Sequence, residues 1–95
     1  MTETESNKRI TVHYAGRVQG VGFRYTVCRI AEPFDVTGYV KNLADGSVEL
    51  VAEGGHETLS QLHERICQEM KGNISTHQLS ESPANGEFQS FGVTY

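Results

Sequence analysis

The residues best suited to hold an anion are gathered in one stretch, Gly16-Arg17-Val18-Gln19-Gly20-Val21-Gly22-Phe23-Arg24. Glycines at 16, 20 and 22 let the backbone approach a ligand closely or adopt a positive φ. A helical pattern opens at Gly22 with no Ser, Thr, Asp or Asn at its start, so the first N–H groups have no side-chain acceptor. Such bare amides form a seat for an anion. Arg24 falls in the same first turn, where the helix dipole disfavours a cation by roughly 0.3–1 kcal/mol. A bound dianion shared between amides and guanidinium would make both features favourable. Glycines that serve only packing, next to a surface arginine, would produce the same spacing. The stretch is not a Walker loop, since no Gly-Lys-Ser/Thr follows, and its glycine spacing does not fit a dinucleotide fingerprint.

The elements that must position this loop follow from periodicity. Arg9 to Val18 alternates, with Ile10, Val12, Tyr14 and Val18 on one face, and reads as a half-buried strand. Helix one runs from about Gly22 to Ala31 on the stripe Phe23, Val27, Ile30, Ala31, and Pro33 ends it. A second strand covers Val36 to Leu43. Asp45-Gly46 turns it into a third, Ser47 to Glu53, and the pair forms a hairpin. Helix two covers Leu59 to Met70 on the stripe Leu59, Leu62, Ile66, Met70, with Thr58 and Gln61 in a capping-box pattern. Ile74 to Ser80 is a polar strand suited only to a sheet edge. Ser82 to Glu87 reads as loop, and Phe88 to Tyr95 alternates with Phe91, Val93 and Tyr95 on one face. The order is βαββαβ, with a short extra strand possible near the end, and two helices on one face of a mostly antiparallel sheet.

This topology brings a second residue to the loop. In a strand–helix–strand unit the two strands point the same way, so their C-terminal ends share one edge of the sheet. Asn42 ends the second strand and has the parity of Val36 and Val40, which aims it at the mouth of the glycine loop. An asparagine that simply begins the turn toward Asp45-Gly46 would occupy the same position.

Composition narrows the function. The chain has 95 residues, one domain's worth, with 8 Lys plus Arg against 12 Asp plus Glu and a formal charge of −4. That balance argues against a nucleic-acid surface. No apolar run approaches the ~20 residues of a membrane span, and the start of the chain is polar without a hydrophobic signal region. The cytoplasm is the expected compartment. Met1 to Lys8 reads as a disordered tail ahead of one domain over residues 9–95. The cysteines, Cys28 and Cys67, lie on helix flanks without metal-ligand or redox spacing. His13, His56, His63 and His77 show no ligand spacing either, and read as surface or boundary side chains. No metal or cofactor is expected.

Three segments carry a family resemblance. Gly16 to Arg24 is similar to the phosphate-loop signature of the acylphosphatases, small hydrolases of carboxyl–phosphate anhydrides. Gly38-Tyr39-Val40-Lys41-Asn42 followed by Asp45-Gly46-Ser47-Val48 resembles that family's second signature, and Phe91-Gly92-Val93-Thr94-Tyr95 its closing strand. The resemblance covers about Arg9 to Tyr95 and is weakest over Ile74 to Glu87. It implies a ferredoxin-like α+β sandwich with sheet order 4-1-3-2. It also implies Arg24 and Asn42 as catalytic residues, with phosphate held by the loop Gln19, Gly20, Val21, Gly22 and Phe23, flanked by Val18 and Arg24. The partners it implies are a small acyl phosphate as substrate and inorganic phosphate as product and inhibitor; a monomer is the simpler expectation for the chain. Two other readings share the fold: a non-catalytic phosphate or carbamoyl-phosphate binding module, and an RNA-binding module. The second lacks stacking aromatics and basic charge.

Overall fold

The computed structural model describes residues 7–95. Its element order is β1 (Lys8–Gly16), α1 (Phe23–Ala31), β2 (Thr37–Asn42), β3 (Val48–Gly54), α2 (His56–Glu69), β4 (Ile74–Pro83) and β5 (Phe91–Thr94). The sheet has five strands in the order β4-β1-β3-β2-β5. The expected 4-1-3-2 order is therefore kept, with β5 added on the outer side of β2 and parallel to it. The expected tail over Met1–Lys8 lies outside the described residues as far as Ser6. Lys8 itself opens β1, opposite Gly54 and Pro83, so the strand begins one residue earlier than the sequence suggested.

Alternation decides which face of the sheet is covered. Ile10, Val12 and Tyr14 of β1, Val40 of β2, and Val48, Leu50 and Ala52 of β3 all enter one core. The helix stripes Phe23, Val27, Ile30, Ala31 and Leu59, Leu62, Ile66 meet them there, so both helices lie on that face. The polar face carries His13, Glu49 and Tyr39: Glu49 accepts from the Tyr39 hydroxyl at 2.8 Å and contacts His13 Nε2 at 3.0 Å.

Several boundaries differ from the sequence reading for local reasons. β1 stops at Gly16, two residues short of Val18, because Gly16 takes φ +129° and the register with β4 shifts there. A Cβ at this position would collide with Asn73 O. Arg17 N then donates to Asn73 O at 2.9 Å, which turns the chain out of the sheet. α2 begins at His56, with Gly55 as its N-cap and no side-chain cap bond. Thr58 and Gln61 thus sit inside the helix and form no capping box, because the Leu59 N–H already bonds to Gly55 O at 2.9 Å. β4 runs on to Pro83 and takes in part of the segment read as loop; it is an edge strand, as its polarity required. Both cysteines are free and half-buried.

An ion-pair network closes the end of the sheet away from the glycine loop. Glu53, only 4% exposed, accepts from Arg9 Nε at 2.8 Å and from the N–H groups of Asn85 and Gly86 at 3.2 and 3.1 Å. These contacts anchor the segment between β4 and β5, and so fix where β5 can return to β2.

Candidate active site

The turn from β1 to α1 has the local chemistry that its glycines imply. Gly20 and Gly22 sit at φ +78° and +77°, conformations that residues with a Cβ rarely adopt. Gly22 is the N-cap of α1; it offers no side-chain cap, and no acidic residue occupies the first turn. Among the described residues, no N–H from Val18 to Tyr25 finds a main-chain acceptor; the first to do so is Thr26, which donates to Gly22 O at 3.0 Å. A run of unspent donors thus faces the end of a helix dipole, the arrangement that attracts an anion.

The loop opens onto a cleft of about 230 Å³ lined by Val18, Gly20, Gly22, Phe23, Arg24, Tyr25, Asn42, Val93 and Tyr95. Arg24 and Asn42 therefore meet in one cavity although they come from different elements. No carboxylate lines the cleft among the described residues, and Arg24 supplies its cation. Asn42 Oδ1 is buried and has no hydrogen-bond partner among the described residues. A buried carbonyl oxygen left in that state costs roughly 1–3 kcal/mol, so this side chain is held at a cost to the fold.

Six of the eight site residues expected from the sequence line this cleft: Val18, Gly20, Gly22, Phe23, Arg24 and Asn42. The Val21 side chain points to solvent and does not. Gln19 turns the other way, and its Nε2 donates to Leu43 O and to Ser47 O, each at 2.8 Å. Its side chain therefore braces the loop against the β2–β3 hairpin, a role the sequence did not disclose. The hairpin turn is itself held by Asp45, whose Oδ1 accepts from Ser47 N at 3.0 Å and from Ser47 Oγ at 2.6 Å. Those two bonds hold the Asp45 carboxyl below its ordinary range.

Tyr25, Val93 and Tyr95 complete the cleft and were not among the expected site residues. Arg24 Cζ lies 5.0 Å from the centre of the Tyr95 ring, a cation–π contact that orients the guanidinium. The shared parity of Phe91, Val93 and Tyr95 was the available signal, and pairing of β5 with β2 places that face beside Asn42.

Comparison with known proteins agrees with this geometry. The acylphosphatase family model matches residues 10–93. The chain is 41% identical over 92 residues to an acylphosphatase of Salinibacter ruber, covering 96% of this chain and 97% of the relative. Among solved structures, an acylphosphatase from Coxiella burnetii superposes with a TM-score of 0.82 at 33% identity, covering 99% of this chain and 100% of that one. An acylphosphatase from Bacillus subtilis gives 0.82 at 32% identity, covering 93% and 99%. With the family model spanning nearly the whole described fold, and relatives matched from end to end, the chain belongs to the acylphosphatase family.

Proposed function

We propose that the cleft between the glycine loop and the end of β2 binds the phosphoryl group of an acyl phosphate, and that Arg24 and Asn42 carry its hydrolysis. As an acylphosphatase, the chain acts on the carboxyl–phosphate anhydride bond. The observation that carries the residue assignment is the meeting of three features in one cavity: unspent loop N–H groups, the Arg24 side chain and the Asn42 side chain.

The loop amides and Arg24 hold the phosphoryl oxygens and offset their charge as the bond to the leaving oxygen stretches. The Asn42 side-chain amide, which lines the cleft, hydrogen-bonds the attacking water and aims it in line with that bond. The P–O bond to the carboxyl oxygen breaks, the water oxygen replaces it on phosphorus, and the products are a carboxylate and inorganic phosphate. The leaving carboxylate is stable at neutral pH, so no general acid is required. No carboxylate or histidine lines the cleft among the described residues, and a phosphoryl oxygen of the substrate takes the proton of the water.

The wider setting belongs to the same proposal. Free, half-buried cysteines support a reducing compartment such as the cytoplasm. Of the large apolar side chains that are exposed, Val21, Tyr25 and Tyr95 belong to the loop or the cleft, which supports action as a monomer.

The decisive experiment is hydrolysis of benzoyl phosphate in the presence of a chelator, with inorganic phosphate as inhibitor. We expect turnover with competitive inhibition by phosphate. Phosphate binding without turnover would instead make the chain a binding module and remove Asn42 from catalysis.

A further inference from the structure

On the opposite flank of β1 from the hairpin, three side chains with metal-ligand chemistry converge. His63 and Cys67 are four residues apart on α2 and so share one face of that helix. His77 reaches them from β4. One donor atom from each residue lies within 4.8 Å of the other two. The Cys67 Sγ is 3.7 Å from His63 Nε2, and the two imidazoles meet edge to face with centroids 4.7 Å apart.

We propose that His63, Cys67 and His77 form a site for a borderline-soft divalent cation, with zinc as the reference ion and water as its fourth ligand. Two nitrogens and a sulfur make a donor set suited to tetrahedral zinc. Zinc–sulfur and zinc–nitrogen bonds of about 2.3 and 2.0–2.1 Å set a sulfur–nitrogen edge of about 3.6 Å. The observed Cys67–His63 spacing of 3.7 Å already matches that edge, so loading requires mainly a small approach of the exposed His77.

The surroundings support the assignment. The hydroxyl of Tyr14, a fully buried residue of β1, lies 2.8 Å from His63 Nδ1. Ligating histidines are held in this way through their second nitrogen, and here that contact leaves Nε2, the nitrogen nearer Cys67, for the metal. Loading replaces the S–H proton of Cys67 by the metal and releases that proton to solvent. None of these residues lines the catalytic cleft. The bound ion would tie α2 to the edge strand β4, whose side chains are otherwise mostly exposed.

The test uses the full-length protein, dialysed against a chelator and then titrated with Co²⁺ as a spectroscopic stand-in for zinc. We expect one equivalent to produce a thiolate-to-cobalt charge-transfer band that zinc then bleaches. Cys67→Ser should abolish the band. His77→Ala, a change at an exposed position, should lower affinity by at least about tenfold while circular dichroism and acyl phosphate hydrolysis stay as in the parent. Absence of the band in the parent protein overturns the proposal. So does an affinity that His77→Ala leaves unchanged, which would assign the binding to a thiol acting alone.

Discussion

Gln19 and Leu43 are joined by a hydrogen bond of 2.8 Å, from the side-chain amide of the glycine loop to the carbonyl of the residue after Asn42. The same nitrogen also reaches Ser47 O, which in turn accepts from Leu43 N at 2.9 Å. The glycine loop and the end of β2 therefore cannot shift independently. In the proposed mechanism, this brace sets the spacing between the bound phosphoryl group and the aimed water.

Replacing Gln19 with Ala should leave the cleft lining intact but loosen that spacing. We expect a loss of about 1–2 kcal/mol in stability from the undonated carbonyls. Misplacement on the ångström scale should lower kcat by roughly 10–100-fold, with a smaller change in phosphate affinity. Thermal denaturation and steady-state kinetics on benzoyl phosphate read both.

Arg24→Ala should remove both binding and turnover, with kcat/KM falling by roughly 10²–10³-fold. Inorganic phosphate should inhibit this variant much less than the parent. Arg24→Lys should restore little, because a point charge does not reproduce the planar fork.

Asn42→Ala should separate the two functions. kcat falls by roughly 10²-fold or more, while the inhibition constant of phosphate stays within about twofold of the parent. Turnover equal to the parent's would exclude Asn42 from orienting the water.

Tyr95 is 89% exposed, yet its ring faces the Arg24 guanidinium. An exposed cation–π contact is worth about 0.5–1 kcal/mol, so Tyr95→Leu should raise KM by roughly two- to fivefold and leave the fold unaffected. Unchanged KM with unchanged kcat would show that the guanidinium is positioned without the ring.

The Glu53 network predicts an acid-side effect on stability. Burial pushes the Glu53 carboxyl up, but Arg9 and the N–H groups of Asn85 and Gly86 outweigh it and hold it below its ordinary value of 4.5. A carboxyl depressed in the folded state stabilises the fold fully above its unfolded value and loses that contribution as pH falls through its folded value. Glu53→Gln should therefore lower Tm near neutral pH and flatten its fall below about pH 4.5. A slope identical to the parent's would place the acid sensitivity elsewhere.

Local pattern was enough to recover the two-layer α+β architecture and most of the cleft. Alternation found the inward faces of β1 and β3, and the helix stripes found the residues that cover them. The uncapped start of α1 could be read from Gly22-Phe23-Arg24, because capping depends on residues within a turn of one another. Thr58 and Gln61 misled for the same local reason. Their spacing fits a cap, but Gly55 began the helix earlier and took that role.

The amino-acid sequence by itself determined the glycine loop, Arg24 beside it and Asn42 at the end of β2, because spacing along the chain encodes backbone freedom, helix ends and strand parity. Only the tertiary structure decided that Gln19 braces Leu43 and Ser47, that Tyr95 meets Arg24, and that His77 joins His63 and Cys67. Each of those contacts joins side chains from different elements. Their meeting depends on strand order, register and the direction in which a side chain leaves its backbone, and these are settled when the sheet and its helices close around one core.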